Sequence, residues 1–166
     1  MTRSPALLIA LAAALLSSCA STSDTKKETP TLAQSKRISD VRTTAYTHSE
    51  SDHIVHGVKS ATGSDLKFGK VRSAAADWSV YPVGTVFQIE GTPWVYQIDD
   101  YGSALVGTNT IDLYKPTKSE MNQWGVRKVN IKVLKWGSFA ESLNIMKPRS
   151  KYSHVRKMVQ RIETSS

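Results

Sequence analysis

The sequence has 166 residues, enough for one domain of ordinary size with tails. Lysine and arginine number 22 against 14 aspartate and glutamate residues, giving a formal net charge of +8, and the single cysteine, Cys19, excludes a disulfide within the chain.

The N-terminus has the pattern of an export signal. Arg3 gives a basic start, and residues 6–16 form an unbroken apolar run that is shorter than the about 20 residues of a membrane-spanning helix. Residues 16–19 (LSSC) resemble the bacterial lipobox, which implies a signal peptide over residues 1–18 and lipidation of Cys19. A secretory signal with an incidental cysteine is the alternative. The residue directly after Cys19 is Ala20 and not an acid, which favours the outer membrane, facing the periplasm, if the cell is Gram-negative.

Residues 19–40 are mostly polar and contain almost no large apolar side chain, which predicts a disordered tether. The basic charge of the exported chain favours polyanionic partners of the cell envelope. A basic surface with no dedicated partner is the alternative. Nucleic acid would suit the charge, but export argues against it.

The middle of the chain is predicted to be mainly β. Runs rich in β-branched and aromatic residues, separated by turn residues, predict strands over 41–47, 73–79, 85–90, 94–98 and 128–136. The short break at Gly91-Thr92-Pro93 predicts a hairpin between two of them. Six or so short strands indicate a compact, mainly antiparallel barrel over residues 41–136.

Helices are predicted only in the second half of the chain. Thr117 and Glu120 form a capping box, and Gly125 is placed to end the helix that follows it. Residues 137–166 are expected to form a helical extension, with a basic amphipathic helix over 152–162. The sequence leaves open whether that helix packs on the barrel.

The central region is similar to the 3D domain, a family named for three aspartates and shared with membrane-bound lytic transglycosylase A and stationary-phase survival proteins. The similarity rests on five segments, which are TAY at 44–46, ATG at 61–63, ADWSVYPVGT at 76–85, IDDYGSA at 98–104 and NTIDLY at 109–114. It implies a six-stranded double-psi β-barrel whose three aspartates are Asp77, Asp100 and Asp112.

The resemblance also implies substrate-binding positions, and the chain departs from the family pattern at two places. One is Trp78, which follows Asp77 where the family usually has proline, and the other is a loop. Thr44, Tyr46, Thr62, Tyr101 and Gly102 are expected to line the substrate cleft. Where the family has D-T-G-G, this chain has DYGS at 100–103. Tyr101 is therefore expected either to stack on a sugar or to narrow the cleft.

The implied chemistry is cleavage of peptidoglycan glycan strands by a lytic transglycosylase. Such an enzyme cuts the MurNAc-GlcNAc β-1,4 bond with one acid/base and leaves a 1,6-anhydro end. The acid must stay protonated near neutral pH, so its pKa must lie well above the roughly 3.9 of a free aspartic acid. Asp112, between Ile111 and Leu113, is the expected acid/base, with Asp100 as its partner and Asp77 as a structural or substrate-orienting member. Asp99 is expected to face the other side of its strand, as a solvated or loop-capping residue.

Two other functions remain open at this point. One is a non-catalytic peptidoglycan-binding or envelope-organising lipoprotein, and the other is a two-carboxylate glycoside hydrolase. No cofactor is expected. His48, His53 and His56 lie in a polar loop that offers no fixed metal geometry, so they are expected to be exposed and no metal site is predicted.

Overall fold

The computed structural model describes residues 36–50 and 57–165. The strands are β1 Lys36–Tyr46, β2 Val71–Ala75, β3 Val86–Ile89, β4 Val95–Asp100, β5 Ile111–Tyr114 and β6 Arg127–Lys135, and the helices are α1 Lys118–Trp124, α2 Phe139–Met146 and α3 Ser153–Ser165. Short 3-10 turns cover Ser103–Leu105 and Lys147–Arg149. The predicted signal peptide, Cys19, His53 and His56 lie outside the described residues.

The six strands close into a barrel in the order β1-β5-β2-β4-β3-β6. The pairs β1–β5 and β2–β4 are parallel, and the other neighbouring strands are antiparallel. The predicted six-stranded double-psi β-barrel is confirmed as the fold class. Its interior holds apolar side chains from every strand, including Ile98, Leu113 and Ile131, none of which is exposed.

The first strand starts earlier than the sequence indicated. β1 begins at Lys36, so residues 36–40 belong to the barrel and not to the predicted tether. Ile38 pairs with Ile131 of β6 and packs against the core. A register shift between Ile38 and Val41 accommodates Asp40, whose φ is 60°. The single apolar residue in this polar stretch was too weak a signal to predict a strand.

The helix α1 follows its sequence signals closely. The Thr117 hydroxyl accepts a hydrogen bond from the Glu120 amide at 3.2 Å, which satisfies an N–H group that has no partner within the helix. Gly125 ends the helix with a φ of 60°. Trp124 is buried and Met121 is partly buried. The helix thereby covers the barrel at the end of β5.

The C-terminal helix α3 packs against the barrel. Its buried residues, Val155, Met158, Val159 and Ile162, share one face at the 3.6-residue period of an amphipathic helix and join the core of the barrel. The Trp78 amide donates to Met158 Sδ at 3.4 Å. None of the helices among the described residues is long and apolar enough to cross a membrane.

The passage from β6 to α2 depends on a close backbone approach at Gly137. A Cβ at this position would overlap with the carbonyl oxygens of Pro82 and Val83 and with the amide nitrogen of Thr85. The Gly137 amide donates to Thr85 Oγ1, and the Ser138 amide to the Val83 carbonyl, each at 3.0 Å. These contacts place α2, and with it α3, against the turn at residues 82–85.

A substitution at this position tests the close approach. Gly137→Ala is expected to lower the free energy of unfolding by about 1–3 kcal/mol, because the backbone must move to admit the methyl group. Gly69→Ala is the matched control, since a Cβ there meets nothing within 4 Å, and its effect should stay within about 0.5 kcal/mol. Denaturant unfolding of both variants measures the difference. Equal unfolding midpoints would contradict this account.

Candidate active site

A β-bulge places two consecutive acids on one face of the barrel. Ala74 pairs with Ile98, but the next residue, Ala75, pairs with Asp100, so Asp99 is an extra residue in β4. In a regular strand neighbouring side chains point to opposite faces, and a bulge breaks that alternation.

The third acid of this group comes from β5. Ala75 pairs with Asp112 on one side of β2 and with Asp100 on the other side. Side chains of directly paired residues lie on the same face of a sheet. Asp100 and Asp112 therefore share a face, and the Cα atoms, two strand spacings apart, are separated by about 10 Å. The sequence-based pairing of these two acids agrees with this register.

The hydroxyl of Tyr46 lies among the three carboxylates. It donates a hydrogen bond to Asp100 Oδ2 at 3.2 Å. Burial raises the pKa of Tyr46 well above its ordinary value, and the charges of Asp100, Asp99 and Asp112 raise it further. Tyr46 therefore stays protonated at neutral pH and acts as a hydrogen-bond donor in this cluster.

The three acids differ in their exposure to solvent. Asp99 and Asp100 are only 2% and 6% exposed, whereas Asp112 is partly exposed. Thr44 pairs with Asp112 across the parallel β1–β5 ladder. Its hydroxyl donates a hydrogen bond to Asp112 Oδ1 at 2.6 Å. Asp112 is thus the most accessible acid of the cluster, and one of its oxygens is fixed by Thr44.

Asp100 is held in place through both its side chain and its backbone. Its Oδ1 accepts hydrogen bonds from the amides of Ala61 at 3.0 Å and Tyr101 at 2.9 Å. Its backbone carbonyl accepts from Trp78 Nε1 at 2.8 Å and from the Ala76 amide at 3.1 Å. These bonds fix the position of the carboxylate relative to the barrel wall.

Asp99 is a correction to the sequence analysis, which predicted a solvated residue on the opposite face. Asp99 Oδ2 accepts from the Ser73 hydroxyl at 2.7 Å and from Lys67 Nζ at 3.2 Å. Burial raises its pKa, although Ser73 and Lys67 partly oppose that shift. Its Oδ1 has no hydrogen-bond partner among residues 36–50 and 57–165. The prediction was wrong because it assumed strict alternation of side chains along β4. Two consecutive aspartates at the end of a strand were the sign in the sequence that this alternation could be broken.

Asp77 lies beneath the C-terminal helix. Its carboxylate is fully buried and accepts hydrogen bonds from the Ser79 amide and hydroxyl at 2.9 and 2.6 Å and from the Gly107 amide at 2.7 Å. Arg161 of α3 forms an ion pair with it at 2.9 Å. These contacts join two loops and α3, and they are the contacts of a structural aspartate.

The remaining expected substrate-binding residues lie beside the acids. The Thr62 amide donates to the Asp99 carbonyl at 3.3 Å, and the Thr62 hydroxyl bonds that of Ser60 at 2.8 Å. Gly102 is partly buried next to Tyr101.

Tyr101 connects the loop after β4 to the C-terminal extension. Its ring lies edge-on to Trp78 with 4.9 Å between the centroids. Its hydroxyl accepts a hydrogen bond from Arg149 at 3.3 Å, and the His154 ring is 6.0 Å away. The departure of this loop from the family pattern thus coincides with a contact to the extension.

Among the three histidines of the polar loop, His48 is the one that the structure describes. His48 Nδ1 lies 2.9 Å from the Tyr114 hydroxyl and is partly buried, so it is less exposed than predicted. Within the described ranges, no group of three or more histidine, cysteine or acidic residues is arranged to hold a metal ion.

Comparisons with known proteins relate this chain to bacterial cell-wall proteins. Residues 72–135 match the family model described as the 3D domain. The cell wall-binding protein YocH of Bacillus subtilis (strain 168) is 40% identical over 95 residues, which cover 57% of this chain and 31% of YocH. YabE of the same organism is 37% identical over 99 residues, covering 59% of this chain and 23% of YabE.

The matched region therefore spans less than a third of the length of these two relatives. The crystal structure of MltA from E. coli is similar with a TM-score of 0.39 and 25% sequence identity, over 48% of this chain and 28% of MltA. The region that matches the 3D domain model includes Asp77, Asp100 and Asp112.

Proposed function

We propose that this protein cleaves peptidoglycan glycan strands as a lytic transglycosylase, with Asp112 as its acid/base. The observation that carries the proposal is the position of Asp112, a partly exposed carboxyl on a barrel face that it shares with two buried acids and Tyr46. Cleavage of a glycosidic bond requires a carboxyl group that can reach the leaving oxygen.

The proposed reaction needs only one proton carrier. Asp112 gives its proton to the oxygen between C1 of the N-acetylmuramic acid ring and the next sugar, and the C1–O bond breaks. The C6 hydroxyl of the same ring then bonds to C1, and its proton returns to Asp112. The products are a 1,6-anhydro end and a free N-acetylglucosamine end, and no water is consumed.

The neighbours of Asp112 suit this cycle. The Thr44 hydroxyl, 2.6 Å away, supports the carboxylate after it has released its proton. Asp100, fixed by Tyr46 and two backbone amides, adds negative charge to the face on which an oxocarbenium-like centre would form. Asp99 adds a second buried carboxyl to this face. The proposed site therefore consists of Asp112, Asp100 and Asp99, and Asp77 lies outside it.

The proposed location follows from the N-terminal pattern. Lipidation of Cys19 would anchor the mature protein to a membrane, which we propose is the outer membrane. The barrel would then be free to reach the peptidoglycan. The name of the relative YocH, a cell wall-binding protein, supports a peptidoglycan partner.

A second candidate function is binding to the cell wall without cleavage. It is favoured by that same name and by the departure of residues 100–103 from the family pattern. In this loop Tyr101 contacts Arg149 of the C-terminal extension. A protein of this kind would use the acid-bearing face to hold the glycan and would release no fragments.

Replacement of the proposed acid/base distinguishes the two functions. Asp112→Asn is expected to reduce release of 1,6-anhydromuropeptides from purified sacculi roughly 100-fold or more, the usual contribution of a general acid–base group. Mass spectrometry of the soluble fragments measures this. Asp65→Asn is the matched control, because Asp65 is an exposed aspartate paired with Lys59 on the surface, and it should retain full activity.

Three results would count against the assignment. Undiminished anhydro products from Asp112→Asn would remove this residue from the reaction. Fragments with ordinary reducing ends would indicate a hydrolase that uses Asp100 and Asp112 as a pair. Binding to sacculi with no fragments from the unmodified protein would favour the second candidate.

Asp77 is predicted to act on stability and not on chemistry. Asp77→Asn should lower the free energy of unfolding by about 2 kcal/mol, since charge-assisted bonds to Arg161 and the Gly107 amide are lost. Cleavage per folded molecule should remain near that of the Asp65→Asn control. Denaturant unfolding and the sacculus digest test the two parts separately. A folded Asp77→Asn protein without activity would show that the residue belongs to the reaction.

A further inference from the structure

A cavity of about 410 Å³ lies where α1 meets the mouth of the barrel. Its wall combines three aromatic rings with three basic side chains, one acid and one amide. The lining residues are Phe68, Arg72, Trp94, Lys115, Glu120, Gln123, Trp124 and Arg127. None of them belongs to the acidic cluster described above.

The cations of this cavity lie on its aromatic rings. The guanidinium of Arg72 is 4.2 Å from the centroid of Phe68 and 4.6 Å from that of Trp94. Lys115 Nζ and the guanidinium of Arg127 lie 4.7 and 4.2 Å from the Trp124 ring. Ring faces attract cations without neutralising them, so the positive charge remains available to an anion.

The wall of the cavity holds three basic side chains and a single acid, Glu120. Within residues 36–50 and 57–165, no ion pair involves Arg72, Lys115 or Arg127. The one acid in the wall, Glu120, accepts a hydrogen bond from the Thr117 hydroxyl at 2.8 Å. The side chain of Arg72 also lies beside the buried hydroxyl of Tyr96, where it opposes the rise in the pKa of Tyr96 that burial causes.

The pKa of Lys115 reflects the same excess of positive charge. The residue is 5% exposed. Burial lowers the pKa of Lys115 to about 8, with Arg72 and Arg127 lowering it and Glu120 opposing them. An anion in the cavity would restore the favourable environment of the ammonium group.

The cavity is connected to the acidic face by β5 and by aromatic contacts. Lys115 follows Asp112 by three residues at the end of β5, about 10 Å along a strand. The ring of Phe68, which lines the cavity, lies edge-on to Tyr114 at 6.4 Å, and Tyr114 lies 5.6 Å from the ring of Tyr46. Phe68 and Tyr114 therefore link the cavity to the acidic face through ring contacts.

We propose that this cavity binds a carboxylate of the peptidoglycan stem peptide, with Arg72, Lys115 and Arg127 facing the anion and Trp94 and Trp124 packing on its apolar part. Carboxylate oxygens suit guanidinium and ammonium donors, and indole faces suit the aliphatic groups next to them. The choice of peptidoglycan as the source of the carboxylate rests on the proposed function.

NMR spectra of the tryptophan indole N–H groups test this site in the full-length protein. The probe is muramyl dipeptide, which carries one free carboxylate, and the matched ligand is the same compound with that carboxylate amidated. We expect muramyl dipeptide to shift the Trp94 and Trp124 signals while Trp136, exposed elsewhere, stays unchanged. Lys115→Met should weaken binding about tenfold, because a hydrogen bond to a charged group is lost.

Two protein variants and the pH complete the test. Lys132→Met, on the exposed side of β6, is the control for Lys115→Met, and Arg127→Gln gives a second cavity variant at an exposed position. Binding should weaken several-fold from about pH 7 to about pH 9 as Lys115 loses its proton, since its pKa is about 8. The other charged groups facing Lys115 are Arg72, Arg127 and Glu120.

The proposal is overturned if the amidated compound binds equally well, if glycerol phosphate binds more tightly than muramyl dipeptide, or if the Trp94 and Trp124 signals do not move. These outcomes are separate from the sacculus digest. If the protein binds the carboxylate but cuts no glycan, the cavity proposal stands and the transglycosylase proposal fails. If the protein cuts glycan but does not bind the carboxylate, the transglycosylase proposal stands and the cavity proposal fails.

Discussion

The extra residue at Asp99 is the constraint on which the acidic face depends. Because β4 advances by two residues where β2 advances by one, from Ala74 to Ala75, Asp100 is brought level with Asp112 across β2. The backbone carbonyl of Asp100 then accepts a hydrogen bond from the Trp78 indole N–H, and its carboxylate accepts one from the Tyr46 hydroxyl. A regular strand would place one of the two consecutive acids inside the apolar barrel, where an unpaired charge carries a large desolvation penalty.

The C-terminal extension is part of the same arrangement. Trp78 lies between the Asp100 carbonyl and Met158 of α3, while the preceding residue, Asp77, is paired with Arg161. Arg149 reaches the Ala61 carbonyl, and the Ala61 amide in turn donates to Asp100. The extension therefore supports the loops that hold Asp100 in place.

Local patterns predicted a mainly β barrel and the helix α1, whereas the double-psi barrel and the three aspartates came from the resemblance to the 3D domain. The remaining features depend on contacts between residues that are far apart in the sequence. The capping box at Thr117 specifies α1 because its hydrogen bond lies within four residues. Asp112 was assigned correctly to a strand, but its neighbours Ile111 and Leu113 are buried in the barrel and alternation places the Asp112 side chain on the other face. Asp99 was misplaced because a bulge is a property of a pair of strands. The cavity around Lys115 brings together residues from 68 to 127, and its composition becomes visible only in the folded chain.

The central claim is that the acidic face cuts glycan strands by an internal attack that uses no water. Digestion of purified sacculi in heavy-oxygen water, followed by mass spectrometry of the soluble fragments, tests this claim most directly. The account predicts 1,6-anhydro ends that contain no heavy oxygen. Reducing ends that have gained heavy oxygen would contradict it, as would the absence of released fragments.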